Sequence, residues 1–129
     1  MKAPLQALIV DDSPAARALA RSALEGAAEA LGMSFDVEEA GSGMEALRAL
    51  AVATQAVVIV DLHMPDMTGL EVLSFWKKRG GGARALIVST EVSPRDRDKA
   101  LELGAHALLE KPVTVAALTD ALRGLEVVG

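Results

Sequence analysis

The chain has 129 residues, 51% of them apolar but only 2% aromatic, so its core must be assembled from Ala, Val, Leu, Ile and Met. A chain of this length buries roughly two-thirds of its unfolded surface without needing staples, and with no cysteine it has neither disulfides nor thiolate metal sites. Its net charge of −5, from 18 acidic and 13 basic residues, argues against a nucleic-acid partner, whose phosphates reward a basic face.

Met1–Val10 lacks the basic-then-apolar build of a signal peptide. No apolar run reaches the roughly 18 residues of a membrane span. The expectation is a cytoplasmic protein without membrane insertion. Leu5–Val10 is a short apolar run ending at Asp11-Asp12, which suits a strand buried on both faces. Ser13-Pro14 then opens a helix, with serine as N-cap and proline at the first helical position. Ala16, Ala20, Ala23, Leu24, Ala27 and Leu31 recur at helical spacing until Gly32. Phe35–Ala40 reads as a second strand, and Asp36, Glu38 and Glu39 place it at a sheet edge. Gly41–Gly43 is a turn, followed by a helix through Met44, Leu47, Leu50 and Ala51.

Val57–Val60 is a third strand, fully β-branched and so buried on both faces, and it stops at Asp61. After a loop, Thr68-Gly69-Leu70-Glu71 forms a capping box that starts a helix to about Arg79, and Gly80–Gly82 breaks it. Leu86–Val88 is a fourth strand ending at Ser89-Thr90. Ser93-Pro94 caps the next helix, which Gly104 terminates. Ala107–Leu109 makes a fifth strand, and a last helix runs from about Val115 to Arg123. The basic clusters Lys77-Lys78-Arg79 and Arg95, Arg97, Lys99 are interrupted by glycines or acids and read as solvated helix faces. Strands alternating with helices predict an α/β fold with a parallel sheet covered on both faces. With right-handed crossovers, the five-stranded, doubly wound flavodoxin-like order 2-1-3-4-5 is the natural topology, in one domain over residues 1–129.

In such sheets ligands bind beyond the carboxyl ends of the strands. Those ends offer Asp11 and Asp12, Asp61, Thr90 and Lys111. Each alone has an ordinary explanation: the first two acids as helix caps, Asp61 as a turn opener, Thr90 as a strand-end threonine and Lys111 as a solvated lysine. Together they form three repelling carboxylates beside one ammonium, an arrangement that a hard divalent cation and a phosphoryl group would both satisfy.

The segments Ile9-Val10-Asp11-Asp12-Ser13, Val58–Gly69, Ser89-Thr90 and Glu110-Lys111-Pro112 resemble those of response-regulator receiver domains, in order and along essentially the whole chain. The resemblance implies that Asp61 is nucleophile and phosphoacceptor. It implies that Mg2+ is held by Asp11, Asp12, Asp61 and the backbone carbonyl of His63, and that Lys111 pairs with the phosphoryl oxygens. Thr90 would turn inward to report phosphorylation, and Lys111-Pro112 would be a cis peptide. Two departures stand out. Leu108 occupies a place the family usually gives to Tyr or Phe, and Glu91 follows the hydroxyl where a small residue is common. The side chain of His63 reads as a rim residue influencing the attacking water.

The resemblance implies a signalling switch rather than an enzyme, with only self-catalysed phosphoryl transfer and autodephosphorylation. Its partners would be a histidine kinase, CheA-like, or a phosphotransfer protein, and a downstream protein. The chain ends about one turn after the last helix, so no effector domain is expected. The stretch from Ser89 to Ala105 is most similar to chemotaxis-type, CheY-like regulators, acting as a monomer or a phosphorylation-dependent dimer. The expected output face is the fourth helix, fifth strand and fifth helix, with Leu108 and Glu110 turned outward beside Arg95 and Asp98. Two rivals remain. A pseudo-receiver would bind protein without phosphate. A dinucleotide-binding enzyme would use Gly41-Ser42-Gly43-Met44-Glu45-Ala46, which matches G-x-G-x-x-A, with Asp61 as the ribose-binding acid.

Overall fold

The computed structural model describes residues 4–79 and 84–124. The glycines at 80–82 that were expected to break the third helix lie outside these residues. Strands β1 (Leu5–Val10), β2 (Phe35–Ala40), β3 (Val57–Asp61), β4 (Arg84–Ser89) and β5 (Ala107–Glu110) alternate with helices α1 (Pro14–Leu31), α2 (Gly43–Val52), α3 (Gly69–Lys78), α4 (Pro94–Glu102) and α5 (Val115–Leu122). All strand pairs are parallel, and the order is β2-β1-β3-β4-β5. This is the flavodoxin-like arrangement expected from the sequence. The acidic β2 lies at an edge, and β3 is buried along its whole length.

The helix starts follow local chemistry. Ser13, Ser42, Thr68, Ser93 and Thr114 each accept a backbone N–H from the first turn of the helix they precede. Thr68 and Glu71 close the full capping box. Alternation along the strands divides the core in two. Ala7, Ile9, Val57, Ile59, Leu86 and Val88 face α1 and α5, meeting Leu24, Ala27, Leu118 and Leu122. Leu8, Val10, Val58, Val60 and Ile87 face α2, α3 and α4, meeting Ala49, Val72, Leu73, Trp76 and Ala100. With so few aromatics, close approach through alanine replaces bulk. No described helix is long and apolar enough to cross a membrane.

In α2 the buried stripe runs through Gly43, Ala46 and Ala49, while Met44 is exposed and Leu47 and Leu50 are only half-buried. The helix rests its small residues on the sheet and turns its larger ones to the margin. Leu108, expected to face solvent, is buried at 6% exposure. Leu108 pairs with Ile87, and Glu110 with Ser89, so the two β5 residues do share a face. That face is covered by Ala100 and Ala105 at Leu108 and open at Glu110, which lies beyond the cover. Leu108 is therefore a core residue rather than a docking residue. Leu108→Ala should cost about 2–4 kcal/mol of stability, read from the urea midpoint of Trp76 fluorescence. A loss below about 0.5 kcal/mol, as for an exposed side chain, would contradict its burial.

Candidate functional site

The carboxyl ends of the central strands bring the acids together. Asp11 follows β1 directly, its N–H donating to the Ala40 carbonyl at 3.1 Å. Its Oδ1 accepts the Ser13 N–H at 2.9 Å. Asp61 is the last residue of β3. Behind it the Leu62 N–H donates to the Val88 carbonyl at 2.8 Å and the Gly69 N–H to the Leu62 carbonyl at 2.9 Å. A β-carbon at Gly69 would collide with the Asp61 carbonyl, so only glycine lets α3 begin this close to the acid. Lys111 follows β5 across a cis Lys111-Pro112 peptide, and its N–H donates to the Ser89 carbonyl at 2.8 Å.

Lys111 Nζ stands 2.6 Å from Asp11 Oδ2 and 3.2 Å from Asp61 Oδ1. Asp11, Asp12 and Asp61 each present a carboxylate oxygen within 4.8 Å of the others. Asp11 and Asp61 are buried and Asp12 is exposed, so the trio opens to solvent on one side. Burial raises the Asp61 pKa, and the neighbouring Asp11 charge raises it further, more than Lys111 lowers it. For Lys111, burial works downward, but its bond to Asp11 and the charges of Asp11 and Asp61 prevail and the net shift is upward. One ammonium thus serves two buried acids and leaves Asp61 short of positive charge. Three hard oxygen donors at this spacing fit Mg2+, which takes a few carboxylates and keeps its waters. The side chain of His63 is exposed and is not part of the acidic cluster.

The fourth strand departs from the sequence reading. β4 ends at Ser89, which is fully buried, whereas Thr90 is exposed and lies beyond the ladder. The Ser89 hydroxyl donates to the Glu91 carbonyl at 2.7 Å. Ser89 is thus the strand-end hydroxyl that sequence reasoning passed over, and Thr90 takes the following place that had been given to Glu91. The sequence does not separate the two hydroxyls, because β4 is buried from Ala85 to Ser89 without alternation, and only the register tells them apart. Val88 pairs with Asp61, and Ser89 is the last ladder residue, opposite Glu110. Thr90 instead borders a cavity of about 200 Å3 beside Asp11 and Lys111, walled by Leu19, Val88, Pro112 and Val113. A larger groove of about 630 Å3 between α3 and α4, lined by Leu70, Arg95, Asp98 and Glu102, is remote from the acids and is not the chemical site.

The glycine motif at 41–46 is accounted for differently. It follows edge strand β2, and the carboxylate of Asp66 already occupies the start of α2, accepting the N–H groups of Gly43 and Met44 at 3.0 Å each. Those two bonds hold the Asp66 pKa below its ordinary value. Met67 lies where a β-carbon at Gly43 would fall. The helix terminus that a pyrophosphate would need is closed by the loop following β3.

Residues 7–123 match the model of the response regulator receiver domain. The chain is 33% identical over 124 residues to the transcriptional regulatory protein TrcR of Mycobacterium tuberculosis, covering 95% of this chain and 45% of that protein. It therefore spans about half the length of such relatives. Chemotaxis protein CheY4 of Vibrio cholerae superposes with a TM-score of 0.82 at 30% identity, over 96% of this chain and 100% of that one. A response regulator from Burkholderia pseudomallei, solved with a phosphorylated aspartic acid and a calcium ion, gives 0.78 at 26% identity over 93% and 67%.

The charge imbalance at Asp61 has a measurable consequence. Because its folded-state pKa is raised, the native state holds the proton more tightly than the unfolded chain does. Stability therefore falls as pH climbs from the unfolded value of 3.8 through the folded one. Without divalent cations at pH 7, Asp61→Asn should be more stable than the wild type by on the order of 1 kcal/mol. The advantage should shrink toward acid pH. Equal urea midpoints at pH 7 would show that the acids are not strained.

Proposed function

The chain belongs to the response regulator receiver domain family, and from that premise we propose that it is a phosphorylation switch whose Asp61 accepts a phosphoryl group from a phosphohistidine. The observation that carries this reading is the placement of Lys111 between Asp11 and Asp61, with Asp12 completing an acidic trio. An ionised Asp61 oxygen attacks phosphorus, the phosphorus–nitrogen bond of the donor breaks, and its electron pair stays on the histidine nitrogen, which takes up a proton. Asp11, Asp12, Asp61 and the His63 carbonyl would hold Mg2+, which when bound would supply the charge neutralisation that the transferring oxygens need. Lys111 keeps its ammonium within reach of Asp61 and can exchange a carboxylate oxygen for a phosphoryl oxygen.

The switch hydroxyl in this reading is Ser89. It is committed to the Glu91 carbonyl, inside the loop that leads to α4. A phosphoryl oxygen on Asp61 competes for that hydroxyl, and drawing it away frees the loop. This couples the site to α4 as a shift between two arrangements. Thr90, on the cavity side, is the second candidate. The responding face comprises α4, β5 and α5, with Arg95, Asp98 and Glu110 exposed and Leu101, at 49% exposure, as its apolar element in place of Leu108. The likeness to CheY4 over that protein's full length supports a single receiver unit over residues 1–129 that works by binding a protein in chemotaxis or motility signalling, downstream of a CheA-like kinase.

Incubation with acetyl phosphate and Mg2+ should add one phosphoryl group to the intact mass. The increment should vanish in Asp61→Ala and when Mg2+ is chelated. Ser89→Ala should still be phosphorylated but should lose the phosphorylation-dependent amide shifts in α4. A mass increment retained by Asp61→Ala would place the phosphoacceptor elsewhere. Failure of the wild type to gain mass would favour a protein-binding module that does not use phosphate.

A further inference from the structure

Two arginines one turn apart on α1, Arg17 and Arg21, converge on a single acid of the edge strand. Arg17 Nε donates to Glu39 Oε1 at 2.9 Å and Arg21 Nη1 to Glu39 Oε2 at 2.8 Å. Exposed ion pairs of this kind usually contribute little. Arg17 differs in two respects. Its side chain is only 18% exposed, and its Nη1 donates to the main-chain carbonyl of Asp11 at 2.6 Å. That carbonyl belongs to the peptide joining Asp11 to Asp12, so holding it fixes the plane from which both carboxylates depart. Every other polar group of Asp11 is also committed: its N–H to Ala40, Oδ1 to the Ser13 N–H and Oδ2 to Lys111. The Asp12 carboxylate has no hydrogen bond among those identified for the described residues, and its direction is set by the peptide that Arg17 grips.

We propose that Arg17 is a positioning residue for the divalent-cation site, orienting Asp11 and Asp12 through their shared peptide while Glu39, tethered by Arg21, cancels its charge. The inference rests on the reading of Asp11, Asp12 and Asp61 as a cation site. Two effects of Arg17 oppose each other. Its positive charge repels a divalent ion, and its hydrogen bond prearranges the ligands. Glu39 in contact suppresses the first and leaves the second dominant. The acids of β2 thereby gain a role besides protecting a sheet edge.

The test is calorimetric titration of the unphosphorylated protein with MgCl2 at constant ionic strength. Arg17→Ala should weaken binding about tenfold, the lower range for loss of a group that orients metal ligands. Arg17→Lys should recover part of the loss, because an ammonium can reach the carbonyl but lacks the fork to hold Glu39 as well. Glu39→Gln, which leaves the guanidinium uncompensated, should also bind more weakly. With acetyl phosphate, the Mg2+ concentration for half-maximal phosphorylation should rise in Arg17→Ala while the plateau rate stays at the wild-type value. Should Arg17→Ala not fold, the lysine and glutamine variants carry the same comparison. Wild-type or tighter Mg2+ binding by the arginine variants, or a plateau that falls while the midpoint stays, overturns the proposal. A wild type that binds no Mg2+ overturns the cation-site reading together with it, whereas normal wild-type binding with indifferent variants overturns this inference alone.

Discussion

Two buried carboxylates, Asp11 and Asp61, share one ammonium, and the rest of the molecule is arranged around that shortage of positive charge. A like-charge pair near a protein surface costs several kcal/mol when the charges are in contact. Proteins ordinarily avoid the situation by pairing every buried charge. Here a third acid, Asp12, is added from the solvent side, which deepens the imbalance. Such an arrangement is sustained only by a scaffold stable enough to hold the acids in place. The fully buried β3, flanked by β1 and β4 in parallel register, is that scaffold.

The main chain around the acids leaves little freedom. Gly69 allows α3 to begin against the Asp61 carbonyl, and Asp66 fastens the loop between them to the start of α2. Arg17 secures the Asp11 carbonyl from α1, and Ser89 is tied to Lys111 through the backbone. The groups left adjustable are the exposed Asp12 carboxylate, the Lys111 ammonium and the Ser89 hydroxyl. These are the parts that binding an anion and a cation would have to rearrange. Rigid main chain with mobile polar ends is what rapid exchange of ligands at a charged site requires, because the ordering cost is already met by folding.

Much of this was legible from residue order alone. Periodicity and caps such as Ser13-Pro14 and Thr68–Glu71 located the elements, and the alternation of strands with helices left few topologies. The acids and Lys111 were legible because strand ends in a parallel sheet converge, so position along the chain translates into position in space. What was missed depended on faces and cover. Ser89 and Thr90 are both hydroxyls at one strand end, and only the register with Asp61 separates them. Leu108 and Glu110 share a face, yet one lies under Ala100 and the other does not, a distinction that no periodicity contains. Glu39 announced an edge strand, but its pairing across to Arg17 and Arg21 depends on how α1 lies over β2.

The buried Leu108 bears on how a signal would leave the site. An aromatic side chain at that position could swing between a buried and an exposed place, carrying information along β5. A leucine packed with Ile87, Ala100 and Ala105 has no polar tip to draw it outward and would leave a cavity if it moved. A transmitted motion would then be confined to the loop from Ser89 to Val92, where the Ser89 hydroxyl and the Glu91 main chain exchange hydrogen bonds. That loop leads directly into the Ser93 cap of α4. A change in those bonds would act on the first turn of the helix, where Arg95 and Asp98 are exposed. On the proposed reading, the route from acid to surface would be short and polar, with β5 as the wall against which α4 would shift.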